Sequence, residues 1–581
     1  MDWDKQNIIA IVLGVALMVL WFIYGPEIVG GKDAPAPPAA ATVQTANASA
    51  AALAKTTAKT PVAASSSVKI KAMAPVAISN GDSCYQISPL TGVVEKVVFD
   101  DKFLKNDRSG ALELGNVFPA LAKASAEYGA FGLRSEHGNF QVVRVLQNQK
   151  VNDSTYLLVR TLKDAQGNEF TCMSKYEALK GYRLKVSFQL VNSGKKAVAF
   201  PALTVSAGDL QPWYRMTGDD KSKSQELHSV EYCTSGGKVK SEDVSADNDD
   251  WAELNGNPVR WAGVTNRFFA MLLKSKEAAK LHVDRVEEPV GSKEFIAHVS
   301  AVLNTFTLAP GAAKDLEFEY YLGPKYPRTL EAFDADASDV MHLGWFPIDF
   351  LAYIMLWLLN WLYSFVGSFG WSIILLTLLI RTIFFPVTMK ANASMREMQA
   401  LSPKLKEIRE KYKDEPMVAQ TKMSELYREH KVNPLGGCLP MIIQIPVFIA
   451  LYYALGSAAE LRQQSFWWIN DLAQPDTVAT VFGVAINPLI IAWTLLMVLQ
   501  QKLTPTAMDP MQAKMMLAMP LVMLFILYSL PAALTLYWTV SQIFGILQMM
   551  YQNKLKKRDD ARRQEKAAQE KSPEKPKTVR S

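Results

Sequence analysis

The chain of 581 residues predicts a polytopic α-helical membrane protein with six spans, five of them forming one core. A large extracytoplasmic antiparallel β-sandwich is expected between the first span and the rest. Three observations carry that expectation. Apolar runs of membrane length lie near both ends and not in the middle. The middle alternates apolar and polar residues with period two. Lys and Arg gather in two segments, one between and one after the C-terminal runs. The length exceeds what one core supports, so several domains are expected. Hydrophobic residues make up 49% and the net charge is +6, so placement decides more than either sum.

The first element is Ile8–Tyr24, an apolar stretch long enough to cross a bilayer. A cleaved signal peptide is the alternative, because small residues follow it. Its apolar core is longer than a signal core, and Asp2 and Asp4 make a poor basic leader, so residues 1–25 read as an uncleaved anchor. Residues 26–78, rich in Ala, Pro, Thr and Ser, read as a flexible tether.

Residues 79–340 read as the sandwich. Tyr182, Leu184, Val186, Phe188 and Leu190 alternate with Arg183, Lys185, Ser187 and Gln189, and Asn192-Ser193-Gly194 supplies a turn. Leu316, Phe318, Tyr320 and Leu322 alternate with Glu317 and Glu319, and Gln141–Leu146, Tyr156–Leu162 and Phe295–Leu308 are further strand-like runs. Many short strands with turn signals argue for a sandwich. Trp213, Tyr214, Trp251 and Trp261 with Asp219, Asp220, Asp249 and Asp250 would suit a sugar cleft, against the plainer reading of core aromatics and acidic loops. His228, His282 and His298 lack metal-ligand spacing, and no metal is expected. Cys84, Cys172, Cys233 and Cys438 match no zinc or redox motif; at most one bridge forms in the middle domain, and a Cys172–Cys233 pairing stays open.

Trp345–Val366 is apolar enough to be scored as a span. A span there, with the anchor retained, would put the lysine-rich segment outside. Asp349, Tyr353, Asn360 and Ser364 fall on one helical face, so residues 341–367 read as an interfacial amphipathic helix, with Gly367 and Gly370 letting the chain turn into the membrane.

Residues 368–551 hold the five-span core, with runs at Trp371–Phe385, Leu439–Leu455, Thr480–Leu499, Met515–Leu530 and Ala532–Tyr551. The loop from Lys390 to Lys431 and the tail of residues 552–581 carry the basic residues, whereas Glu460–Ala479 carries only Arg462. Loop, tail and both termini are therefore expected in the cytoplasm, and residues 26–340 and the Trp467-Trp468 connection outside it. Within the hairpin, residues 387–434, Ser402 reads as an N-cap with Pro403 in the first turn, and Leu405, Ile408 and Tyr412 face Met423, Leu426, Tyr427 and His430. Met395, Met398, Met417 and Met423 either hold this hairpin together or offer an adaptable landing surface for apolar segments.

Arg381 sits inside the Trp371–Phe385 run. A charge at membrane depth costs about 2.5–3.5 kcal/mol on insertion scales, so it faces protein or water. Gln and Thr recur in the later spans, and together they suggest a wet cavity that handles other polypeptides.

The stretch Val432-Asn433-Pro434-Leu435-Gly436-Gly437-Cys438-Leu439-Pro440, running into Gln444-Ile445-Pro446 and Leu451-Tyr452-Tyr453, resembles the YidC-type membrane protein insertase family (YidC/Oxa/Alb). The likeness extends through Leu461-Arg462-Gln463, Trp467, Thr504-Pro505-Thr506, Asp509-Pro510-Met511-Gln512 and Tyr537-Trp538-Thr539-Val540-Ser541. The large outer domain resembles the Gram-negative branch, whose domain is a supersandwich of the sugar-mutarotase-like type. Trp538 departs from the tyrosine that many relatives carry there.

The resemblance implies a hydrophilic groove, open to cytoplasm and lipid and closed outward, through which nascent membrane proteins enter the inner membrane. Client contact falls by that implication on Arg381, Thr377, Gln444, Tyr537 and Trp538. Each has a plainer role: Arg381 snorkelling, Thr377 bonding a helix carbonyl, Gln444 holding helices together, and Tyr537 and Trp538 packing. The implied partners are nascent membrane proteins, the Sec translocon with its accessory subunits, ribosomes held by the basic tail, and membrane lipids, with no DNA. No Walker loop is present and no cofactor is expected, so a non-enzymatic insertase and chaperone working without ATP is the leading reading. A secondary transporter, which would need an inverted repeat, and a membrane-anchored sugar-binding or sugar-modifying protein are the alternatives.

Overall fold

The computed structural model describes residues 73–99, 113–115, 130–135, 138–212, 228–244, 254–287, 295–430, 439–503 and 510–570. The anchor, the tether up to residue 72, Trp213, Tyr214, Asp219, Asp220, Asp249, Asp250 and Trp251 lie outside them. So do the Val432–Cys438 and Thr504–Asp509 motif residues and residues 571–581.

Four short strands open the described chain: β1 (Val76–Ser79), β2 (Ser83–Ile87), β3 (Val94–Phe99) and β4 (Glu113–Gly115), paired in that order. The larger sheet draws on β5 (Leu133–Ser135), β6 (Gly138–Asn139), β7 (Gln141–Asn152), β8 (Thr155–Lys163), β9 (Glu169–Leu179) and β10 (Arg183–Asn192). After β11 (Val198–Phe200) come β12 (Leu203–Asp209), β13 (Ser229–Thr234), β14 (Val239–Asp243), β15 (Pro258–Thr265) and β16 (Phe269–Glu287). The last three are β17 (Phe295–Leu303), β18 (Phe306–Leu308), which pairs β11 apart from the sheet, and β19 (Ala313–Pro324). The sheet runs β6-β5-β12-β17-β16-β19-β10-β9-β8-β7, with β15, β13 and β14 leaving it through β16.

The alternation read along the chain becomes a register here. Leu184, Val186 and Phe188 on β10 sit opposite Tyr320, Phe318 and Leu316 on β19, so both apolar sets reach the same side. Phe131 packs on Tyr320 at 5.3 Å and Phe188 on Phe318 at 5.9 Å. The small sheet lies over this face: Phe99 meets Phe269 at 5.4 Å, and the Tyr176 hydroxyl donates to the Gly92 carbonyl at 2.6 Å. Cys172 and Cys233 are both buried and both free, so the pairing left open by the sequence does not form in this structure. Trp261 is a fully buried core residue rather than part of a cleft.

Ten helices follow among the described residues: α1 (Pro327–Phe333), α2 (Ile348–Val366), α3 (Phe369–Ile383), α4 (Phe385–Ala400), α5 (Ser402–Lys411), α6 (Pro416–Glu429), α7 (Leu439–Ser457), α8 (Pro488–Leu503), α9 (Pro510–Ile526) and α10 (Ala532–Glu570). Lys274 and Arg260 reach Asp334 at 2.9 and 2.5 Å, pinning the turn after α1 to the sheet. The fully buried Arg267 donates to the carbonyls of Gly456 at 3.2 Å and Ala473 at 3.3 Å, tying the β region to the end of α7 and to the loop that follows. Such charge-to-carbonyl bonds are what make burying a guanidinium tolerable.

Five helices match the five C-terminal runs, with differences. The run from Thr480 becomes helix only at Pro488, because Ala479–Val481 and Val484–Ile486 pair as a hairpin turned by Phe482 and Gly483 at positive φ. The basic tail, expected as a separate segment from residue 552, begins as a continuation of α10 to Glu570. The hairpin contains three helices, and Ser402 is the first residue of α5 with no side-chain cap bond, not its N-cap. Among the described residues only α2 is both long and apolar enough to cross a bilayer, and it is the helix expected to lie in the interface. Its buried side chains, Ala352, Leu356 and Leu359 among them, pack toward α3 and α7, while Phe350, Trp357, Trp361 and Phe365 are exposed.

Gly367 caps α2 in the left-handed conformation, as a turn there requires. Gly370 does something else: a Cβ on it would stand 2.2 Å from the Phe466 ring. Gly370→Ala is therefore expected to destabilise the full chain by about 1–3 kcal/mol, whereas Gly367→Ala, with open space around it, should lose about 1 kcal/mol. Thermal unfolding in detergent separates the two.

His298 is buried beside Ser206 and Ser300, with Asp284, His282 and Arg134 nearby, and burial pushes its imidazole down to about 4. The unfolded imidazole, near 6.5, binds the proton the folded one refuses, so stability is complete above that pH and falls as pH approaches 4. The loss is expected to reach about 3 kcal/mol. Asp284, held below the ordinary carboxylate range by His282, adds its own loss only below about pH 4. Amide exchange in β12 and β17 at pH 7 and pH 5 should show the loss, and His298→Gln should remove it.

Candidate functional site

The polar residues of the helical core meet along one face of α10. Tyr537, Ser541, Gly545, Gln548 and Gln552 recur at intervals of three and four, which places them on a single stripe. Each neighbouring helix sends a polar group to it. From α7, Gln444 donates to the Tyr537 hydroxyl at 2.9 Å. From α3, Arg381 donates twice to the Ser541 hydroxyl, through Nε at 2.8 Å and Nη2 at 2.5 Å. From α4, Asn392 donates to Gln552 at 3.1 Å, and beside the stripe Gln500 of α8 accepts from Gln542.

Arg381 is half-buried, and its Nε and Nη2 both donate to one hydroxyl. A guanidinium carries five donors, and an uncompensated charge in an apolar bundle is far more costly than one in contact with water. Gly545 keeps space beside it, since a Cβ there would lie 4.0 Å from Arg381 Nη1. The remaining donors therefore suit water or the oxygens of a passing chain.

The other expected residues divide. Tyr537 and Gln444 join the stripe. Thr377 is fully buried, and its hydroxyl donates to the Ile373 carbonyl at 2.7 Å, so the plainer role describes its contact. Trp538 is 7% exposed and lies between Phe448 at 5.1 Å and Trp493 at 5.3 Å, an interhelical stack rather than a free contact surface. In the hairpin, Met398 and Met423 pack with Leu401, Leu405, Leu426 and Tyr427, whereas Met417 is 77% exposed. The side chain of Met395 lies outside the described residues. Sequence reasoning missed Ser541, Gln542, Gln500 and Asn392 as site residues; the polar spacing on α10 was the signal for Ser541.

The end of the bundle near Trp467 is shut by the loop between α7 and α8. Leu461, Leu472 and Ala473 are buried there, and the carbonyls of Gln474 and Leu472 accept from the amides of Ala532 at 2.7 Å and Ala533 at 2.9 Å, capping α10. Asp476 accepts from the Leu489 amide at 2.7 Å and from Trp468 Nε1 at 3.1 Å, capping α8. Apolar side chains cover the outward faces of α8 and α9, with Leu495 65% and Phe525 81% exposed. No cluster of metal-ligating side chains occurs among the described residues.

Residues 361–560 match the family described as 60Kd inner membrane protein, and residues 123–358 match the family described as YidC periplasmic domain. A membrane protein insertase YidC of Pelobacter propionicus is 35% identical over 379 residues, covering 64% of this chain and 67% of that one. The corresponding insertase of Geobacter sulfurreducens is 35% identical over 382 residues, which span 66% of its length. A solved structure described as an active YidC insertase with its first transmembrane domain resolved covers 82% of this chain and 92% of that one, at 18% identity and a TM-score of 0.34.

The stripe predicts a pattern of solvent access. In the cysteine-free full chain, Gly545→Cys, half-buried beside the guanidinium, should react with a water-borne maleimide, and the fully buried Thr377→Cys should not. Tyr537→Phe, which removes the bond from Gln444, should lower thermal stability by about 0.5–1.5 kcal/mol.

Proposed function

The chain belongs to the YidC family of membrane protein insertases, and from that premise we propose that it inserts and chaperones nascent membrane proteins through the polar stripe of α10. The observation that carries the proposal is Arg381, a guanidinium held by one serine hydroxyl inside an apolar bundle. Water drawn in by that charge gives a client's polar flank a path that bare hydrocarbon denies it. The loop capping α8 and α10 closes the far end, so the groove opens toward the cytoplasm and sideways to lipid. The client's apolar segment then leaves into lipid, driven by burial worth about 25 cal/mol per Å². That driving force needs no ATP.

Helix lengths support the route. Helix α3 has 15 residues and α8 has 16. At about 1.5 Å per residue they reach only about 22–24 Å, short of a hydrocarbon core of about 30 Å. Short helices are accommodated by local thinning of the bilayer, which shortens the polar flank's path. In this reading α2 lies in the outer interface, the β region is periplasmic, and both termini are cytoplasmic. The basic continuation of α10, from Lys554 to Arg563, meets ribosomal RNA or anionic lipid, and the protein works alone or beside the Sec translocon.

Replacement of Arg381 by Ala or Gln is expected to reduce insertion of a client with a short polar flank at least tenfold, read as protease protection after reconstitution into liposomes. Arg381→Lys, which keeps the charge, should retain part of it. Unchanged insertion of every client with Arg381→Ala would remove the guanidinium from the mechanism.

A further inference from the structure

A cleft of about 470 Å³ lies between the start of α1 and α2, away from the α10 stripe. Tyr326, Trp357, Trp361 and Leu356 give it apolar and aromatic walls, and Arg328 stands exposed among its lining residues. Glu460, from the loop after α7, lines it too. One of its carboxylate oxygens accepts from Asn360 Nδ2 at 3.4 Å, and the other is buried with no hydrogen-bond partner among the described residues. A buried acceptor of this kind is costly unless something donates to it.

We propose that this cleft binds the headgroup of an ethanolamine phospholipid, its ammonium donating to Glu460 and its phosphate meeting Arg328. Three features select that occupant. The carboxylate asks for a cation with N–H donors, and the Trp357 and Trp361 faces favour a cation as well. Arg328 suits the phosphate that lies one short linker from the amine. The exposed aromatic side of α2, Phe350, Trp357, Trp361 and Phe365, is the composition of a residue belt at the membrane surface, where the acyl chains would run. A phosphatidylglycerol would bring no donor of positive charge to Glu460, and a choline headgroup would bring charge without N–H. The proposal rests on α2 lying at the membrane surface, but lipid preference is read in detergent and so stands or falls apart from insertion.

Native mass spectrometry of the full chain, titrated with ethanolamine, choline and glycerol phospholipids of identical acyl chains, tests it. Bound ethanolamine lipid is expected to exceed either competitor about tenfold, and Glu460→Gln should erase that preference. Arg328→Glu, on the exposed rim where the fold tolerates it, should weaken ethanolamine-lipid binding several-fold. Equal occupancy by the three lipids, undiminished ethanolamine-lipid binding in Arg328→Glu, or an unchanged preference in a folded Glu460→Gln would overturn the assignment.

Discussion

One guanidinium sets the terms for the helical core. Arg381 sits among apolar helices with a serine hydroxyl where a carboxylate would be the usual compensation. A hydroxyl satisfies part of the group and leaves the rest seeking oxygen, so the same interaction that fixes α3 against α10 keeps their interface polar. Gln444–Tyr537 before it and Asn392–Gln552 after it continue that polarity along the helix.

The end of the bundle near Trp467 is held by polar caps as well as by apolar packing. The loop between α7 and α8 supplies carbonyl and carboxylate caps to α10 and α8, and Phe466 fills the space left by Gly370. Arg267 of the β region donates to the carbonyls of Gly456 and Ala473, at the start and the far side of that loop. The sheet therefore steadies the end of the bundle near Trp467. The hydrophobic core is continuous across this junction, running from the sheet through Leu343, Ile348 and Ala352 into α3 and α7.

Several contacts could not be read along the chain for one reason: periodicity names a face but not its neighbour. Trp538 and Tyr537 are adjacent, so they diverge on the helix, one into an aromatic stack and one onto the polar stripe. Thr377 shares a face with Arg381, yet its short hydroxyl turns back to its own helix. The run from Thr480 had the composition of a span, but a glycine turn with Phe482 at its tip makes a hairpin of its first residues.

By itself the sequence determined which of the described segments are strand and which are helix, because alternation and apolar length are local properties. It also marked Arg381, whose expense in an apolar run is independent of the fold. Only the tertiary structure decided what Arg381 touches. Ser541 lies 160 residues away in the chain, and no local pattern can encode which of several short polar side chains a long one will meet. The Glu460 cleft was equally hidden, since burial of a carboxylate depends on three segments closing around it.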